Sequence, residues 1–327
     1  MTKKAAKISK PPSPPPSRST GEKMMRDVQK ALASKSFVDL AEMNDFLKML
    51  TSPGFKKSLA DLEPESLKDE AQEIAFDAME AESKPQARKL AKLALAKDPD
   101  CVDALALLAE IDAKSPLQAI EGLQKAVAAG ERSLGAKFIK ENKGDFWGLL
   151  ETRPYMRALE QLAGLLRGAE LYPEAIRHYE TMLALNPNDN QGVRDPLLGL
   201  YLATGNLAGA SKLLRDYGED SMANFAWGRV LERYLAADLP GAITALQDAR
   251  KKNRFVELYL SGQKPMPKHL PGMYSVGSDE EAILCLDNLS LAWVKHKEAV
   301  FWTLDRLRDN TVQKKTPAKS GKKRNDK

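Results

Sequence analysis

Apolar residues recur along most of this chain at the three- and four-residue spacing of a helix, and the stripes come in pairs. Leu159, Leu162, Ala163 and Leu166 form one such stripe; after a short break, Ala175 and Tyr179 open a second that stops at Pro187. A small residue at the crossing of two helices lets their backbones approach, an aromatic one turn later fills the space beside it, and a proline cannot continue the helix. The same arrangement returns at Ala87 with Ala91 and Pro99, at Ala119 with Leu123, at Ala210 with Leu214 and at Ala242 with Leu246. Each is preceded by a first-helix stripe: Ala71, Ile74 and Ala75; Leu107 and Leu108; Leu197, Leu198 and Tyr201; Ala226 and Val230.

The steps between the five alanines are 32, 56, 35 and 32 residues. Three of the four lie near the roughly 34-residue period of the tetratricopeptide repeat, a helix–turn–helix unit that buries its core only against its neighbours. The sequence therefore predicts an all-α, tetratricopeptide-type solenoid. Two repeats span 64–133 and three span 154–256, separated by an insertion at 134–153. Because length counts repeats in such an architecture, one elongated body is expected. Met25, Val28 and Leu32, then Leu40, Met43, Phe46, Leu47 and Leu50, predict N-terminal capping helices within 22–63, stopped by Pro53-Gly54. After a loop punctuated by Pro265, Pro267 and Pro271, Ser278 and Glu281 have capping-box spacing. The stripes Ala282, Ile283, Leu286, Leu289, Trp293 and Val300, Phe301, Leu304 then predict C-terminal capping helices within 257–307.

Charge divides the chain differently. The net charge of +5 is the sum of two basic ends, +5 over residues 1–20 and +6 over 308–327, and an intervening body of −6. Neither end carries the apolar residues needed to order it, and the prolines from Pro11 to Pro16 favour extended geometry, so 1–21 and 308–327 are expected to be disordered tails. A nucleic acid would meet only these tails, weakly. The N-terminus runs into prolines instead of an apolar core, so it does not read as a secretory signal, and no apolar run approaches the ~18 residues of a membrane span. The expected location is cytoplasmic. Cys101 and Cys285 fit no metal-ligand spacing and read as small packing residues in a reducing compartment.

Sites of chemistry are sparse. His178, His269 and His296 stand on separate segments without a second ligand at helical spacing, no glycine-rich phosphate loop is present, and no serine sits in a nucleophile elbow. No catalytic, metal-binding or cofactor-binding residue is assigned. The remaining candidates bind partners. The leading helices present Gln72, Phe76 and Met79, then Arg157, Glu160 and Arg167, then Trp227, Leu231 and Tyr234 on one side, and arginine with aromatic residues suits protein or peptide recognition, while Trp227 reads equally as packing between repeats. The insertion adds Trp147, Glu151 and Arg153, read either as a partner site or as a structural brace. Asn188-Asp-Asn190 reads as a helix cap.

The strings Asp145–Arg157 and Asn186–Arg194 and the closing helix pair that starts at Gly277–Ala282 resemble the bacterial tetratricopeptide proteins related to the suppressor of tumorigenicity seven family. The likeness covers roughly residues 22–307, and Lys264, Met266, Lys268 and His269 depart from it by standing where acidic and aromatic residues are usual. The resemblance implies a helical repeat fold and no assigned catalytic activity. The expected function is a non-enzymatic scaffold binding a protein or peptide along a concave face through Trp147, Glu151, Arg153, Arg157, Arg167, Trp227 and Tyr234. The alternatives are a nucleic-acid-associated protein using its tails and an enzyme with a site near Trp147, Glu151 and Arg153.

Overall fold

The structure, a computed structural model, describes residues 18–33, 35–50 and 66–313. Among them every regular element is helical and no strand occurs. Most of each tail and the linker around Pro64 lie outside the described residues, whereas the ends of both predicted tails are helical: α1 begins at Arg18 and the last helix runs to Gln313.

The first helices are α1 (Arg18–Ala33) and α2 (Leu40–Leu50). Then come α3 (Leu67–Met79) with α4 (Lys84–Lys97), and α5 (Val102–Asp112) with α6 (Pro116–Leu134). The predicted insertion holds α7 (Ala136–Glu141) and two single 3-10 turns, 146–148 and 150–152. Further pairs follow in sequence: α8 (Arg153–Gly168) and α9 (Tyr172–Leu185), α10 (Arg194–Thr204) and α11 (Leu207–Asp216), α12 (Ala223–Leu235) and α13 (Leu239–Lys252). The short α14 (Val256–Leu260), α15 (Asp279–Lys295) and α16 (Lys297–Gln313) complete the chain.

Local chemistry sets these boundaries. Ser66, Ser115, Asn206, Asp238 and Ser278 each accept a hydrogen bond from the third backbone N–H of the helix they precede, satisfying a donor that the helix itself leaves unpaired. The expected cap at Asn188-Asp-Asn190 resolves to Asp189, which accepts from the N–H groups of Val193 (2.8 Å) and Arg194 (3.1 Å) at the start of α10.

The described helices group into two compact units, Met1–Leu165 and Leu166–Lys327. In the first unit, α3, α4 and α5 enclose a core of Ala71, Ala75, Ala78, Ala91, Ala94, Cys101 and Ala104. So many alanines bring the helix backbones close. Ala87 is buried as its spacing predicts, but Ala119 is only half-buried; the tight approach of α6 to α5 falls instead at Gly122, where an added Cβ would stand 2.5 Å from that of Ala109. In the second unit Ala175, Ala210 and Ala242 are fully buried.

Each unit contains helices beyond its consecutive pairs, and one of them lies on leading helices. In the first, α1 lies against α3; in the second, α15 packs most extensively against α10 and also against α12 and α14. These helices join the first helices of successive pairs, which gathers contacts within each unit. α15 is tightly seated: Ala282, Ile283, Cys285, Leu286, Leu289, Ala292 and Trp293 are buried, and a Cβ at Gly199 of α10 would fall 2.0 Å from the backbone oxygen of Asn288.

Candidate functional site

The charged side of α1 meets the first helices of the pairs in the first unit. Lys23, Arg26 and Lys30 face Asp77 (3.5 Å), Asp69 (2.7 Å) and Glu73 (3.2 Å) of α3. The acidic residues sit four apart and so share one side of α3. Asp27 faces the same stripe, and burial together with the nearby Glu73 carboxylate pushes its carboxyl above the ordinary range.

Glu22 carries α1 further. Its buried carboxylate pairs with Arg157 of α8 at 2.6 Å, and Arg157 in turn binds Asp103 of α5 through Nη2 (2.6 Å) and Nε (3.0 Å). Gln72 of α3 donates to the same Asp103 carboxylate at 2.7 Å. Four elements thus converge on one buried polar network. Burial works against the Arg157 charge, but Asp103 and Glu22 outweigh it and raise the guanidinium above its usual value.

The insertion borders this network. Phe146 is fully buried with Phe138 and Tyr155 each 6.4 Å from its ring, and the Thr152 hydroxyl reaches the carbonyls of Phe146 and Leu149. That core fixes the 3-10 turns and leaves Trp147 half-buried beneath Arg153, whose guanidinium lies 5.0 Å from the indole centre and whose Nε donates to the Trp147 carbonyl. Arg153 Nη1 also reaches Met25 Sδ of α1 at 3.8 Å. Glu151 is exposed and lines two clefts that meet α1, the first only at Arg26 and the second along Arg26, Gln29 and Lys30. One, of about 260 Å³, is shared with Arg26, Asp69, Gln72 and Tyr155; the other, of about 270 Å³, with Arg26, Gln29, Lys30 and Asp69.

Four of the seven sequence candidates, Trp147, Glu151, Arg153 and Arg157, are therefore brought together around α1. The other three belong to the second unit and face other tasks. Arg167 binds Asp287 and Asn288 of α15 at 3.3 and 3.2 Å. Trp227 is a correction: it is fully buried, and its Nε1 donates to the Asn253 carbonyl at 3.0 Å, so it builds the core and offers no binding surface. Asn253 passes the contact on to Glu281, which accepts from the Asn253 amide, from the Gly277 N–H and from the Ala223 N–H at the start of α12. Tyr234 is half-buried, with its ring 5.2 Å from that of Trp302 of α16.

The sequence missed Glu22 and the basic residues of α1, because a charge on an amphipathic helix reads as a solvated face. Asp69, Glu73 and Asp77 have a signal, the four-residue spacing of like charges, which disfavours an isolated helix unless something basic covers it.

Reactive groups elsewhere are quiet. Cys101 is buried and its thiol is pushed up to about 12, while burial raises Cys285 well above the ordinary range, so both are held as neutral packing groups. In the second unit, Asp195 is pushed up to about 7 by burial and by the neighbouring Asp220 carboxylate, which itself binds Arg194 at 2.8 Å. Among the described residues no group of three or more His, Cys, Asp or Glu is placed to hold a metal ion. No described helix is long and apolar enough to cross a membrane. No known family model matches the chain, and no curated protein matches its sequence.

Proposed function

We propose that this protein is a non-enzymatic scaffold of tetratricopeptide type, akin to the bacterial repeat proteins its strings resemble, whose leading helices α3, α5 and α8 bind a helical segment of a protein partner. One observation carries the reading. In each unit a helix of the chain itself, α1 or α15, lies on leading helices, so these faces have the shape and chemistry to hold a helix. Such helix-in-groove recognition uses side chains one turn apart as anchors, as Lys23, Arg26 and Lys30 are spaced here.

The test is photo-crosslinking from single positions in the full chain in native lysate. A crosslinking residue at Asp77, on the leading-helix face, is expected to capture a defined partner, and one at the exposed Lys92 on α4 is not. Equal capture from both positions, or none from Asp77, would count against the reading.

A further inference from the structure

The two helices that lie on leading helices are held by different forces. α15 buries seven apolar side chains and crosses α10 at backbone contact, so removing it would open the core of the second unit. Among the described side chains of α1 only Glu22 and Ala31 are buried; Met24 and Met25 are exposed, and Val28 packs with Ala31 against Phe46 and Leu47 of α2. Ion pairs tie α1 to the leading helices, and an open cleft of about 270 Å³ lies between its Arg26, Gln29 and Lys30 and Asp69 of α3.

Its departure would also leave little unsatisfied. Arg157 still donates its two bonds to Asp103 when Glu22 withdraws, and Asp103 still accepts from Gln72. Asp69, Glu73 and Asp77 are part-exposed already and would be solvated. The face uncovered would have a three-carboxylate stripe on α3, with Arg157 at its far side and the Trp147–Arg153 stack and Glu151 along its rim.

We propose that this face is a receptor for a basic amphipathic helix of a protein partner, and that α1 is its built-in, displaceable occupant. The proposal rests on the scaffold reading and narrows it. The ligand must offer two or three Lys or Arg at three- and four-residue spacing for Asp69, Glu73 and Asp77, and a carboxylate one turn away for Arg157, as α1 does with Glu22. A ligand in the receptor competes with α1, so the apparent affinity of the resting protein is lowered by the fraction in which α1 is docked.

The experiment uses the full chain and, as probe, a fluorescein-labelled synthetic peptide with the sequence of residues 18–33. Arg26→Glu with Lys30→Glu in the protein repels α1 from the stripe and leaves the receptor intact; Asp69→Lys with Glu73→Lys also releases α1 but destroys the receptor. Fluorescence anisotropy is expected to show the first variant binding the peptide about tenfold or more tighter than the wild type, in proportion to the docked fraction removed. The second variant is expected not to bind it, and added salt is expected to weaken binding throughout. Circular dichroism of each variant verifies that it is folded. Failure of the folded first variant to bind, or equal binding by both variants, overturns the proposal. So does a concentration-dependent dimer of the wild type in which α1 of one copy fills the other, because the occupant would then be a second copy. If Asp77 crosslinks a partner while the peptide does not bind, the ligand class falls and the scaffold reading stands.

Discussion

Replacing Gly199 by alanine measures how closely α15 is seated, because two opposing effects give the result a sign. In a helix interior alanine is favoured over glycine by about 1 kcal/mol. At Gly199, however, the new Cβ would stand 2.0 Å from the backbone oxygen of Asn288 and 3.0 Å from its carbonyl carbon. Both atoms belong to a helix backbone, so no side-chain rotation relieves the clash, and Leu197, Leu198 and Leu200 around the glycine are buried. The helices must part by more than an ångström, and overpacking of this kind costs about 1–3 kcal/mol or more. Net destabilisation of about 1–2 kcal/mol is expected after the propensity gain. Gly164→Ala is the control: it lies within α8 with nothing within 4 Å of a Cβ, so the propensity term acts alone and stabilises by up to about 1 kcal/mol. Urea denaturation followed by far-ultraviolet circular dichroism gives both values. If Gly199→Ala matched or exceeded the wild type in stability, α15 would not be packed on α10 at backbone contact.

Arg157→Ala leaves the buried Asp103 carboxylate without its cation and is expected to cost about 3–5 kcal/mol by urea denaturation; Glu22→Gln, which leaves Arg157 with Asp103, is expected to cost far less. Trp227→Ala is expected to lose about 3–5 kcal/mol as a large core deletion, and Trp227→Phe about 1–3 kcal/mol because the Asn253 carbonyl loses its donor; near-neutral values would return Trp227 to the surface. Asp195 in the folded chain holds its proton up to about pH 7, against an ordinary value of 3.8, so between these limits the native state retains a proton that the unfolded chain has released. Stability is expected to fall as pH rises through that window, by up to ~1.4 kcal/mol per unit, and Asp195→Asn is expected to flatten the slope. A slope identical in variant and wild type would remove Asp195 as its source.

Helical periodicity and the recurring alanines made the helices legible, because a small residue at a crossing leaves a mark in sequence wherever it falls. Even there the mark was imperfect: at the second pair, Gly122 makes the close approach and Ala119 does not, and both small residues lie in the first turns of α6. The identity of packing partners was far less legible. A stripe tells which face of a helix is buried but not against what, so α1 and α15 read as end caps, whereas α1 reaches Arg157 through Glu22 and α15 lies on α10. The insertion's Trp147 and Arg153 stood out because an aromatic and an arginine in a linker have no packing period to obey. Trp227 misled for the converse reason: its Nε1 partner, the Asn253 carbonyl, is a backbone group that leaves no trace in sequence.

Hydrogen exchange of the intact protein as a function of salt tests most directly the claim that the first unit's leading helices hold α1 by charge. Raising ionic strength from about 0.01 to about 1 M shortens the screening length from ~30 to ~3 Å, which weakens the part-exposed Lys23, Arg26 and Lys30 pairs while leaving apolar packing in place. Amides of α1 are expected to be protected at low salt and to lose protection as salt rises, with those of α15 unchanged. Protection of α1 that matches α15 and ignores salt would make it an integral helix, and absence of protection at low salt would mean that it never docks; either result contradicts the account.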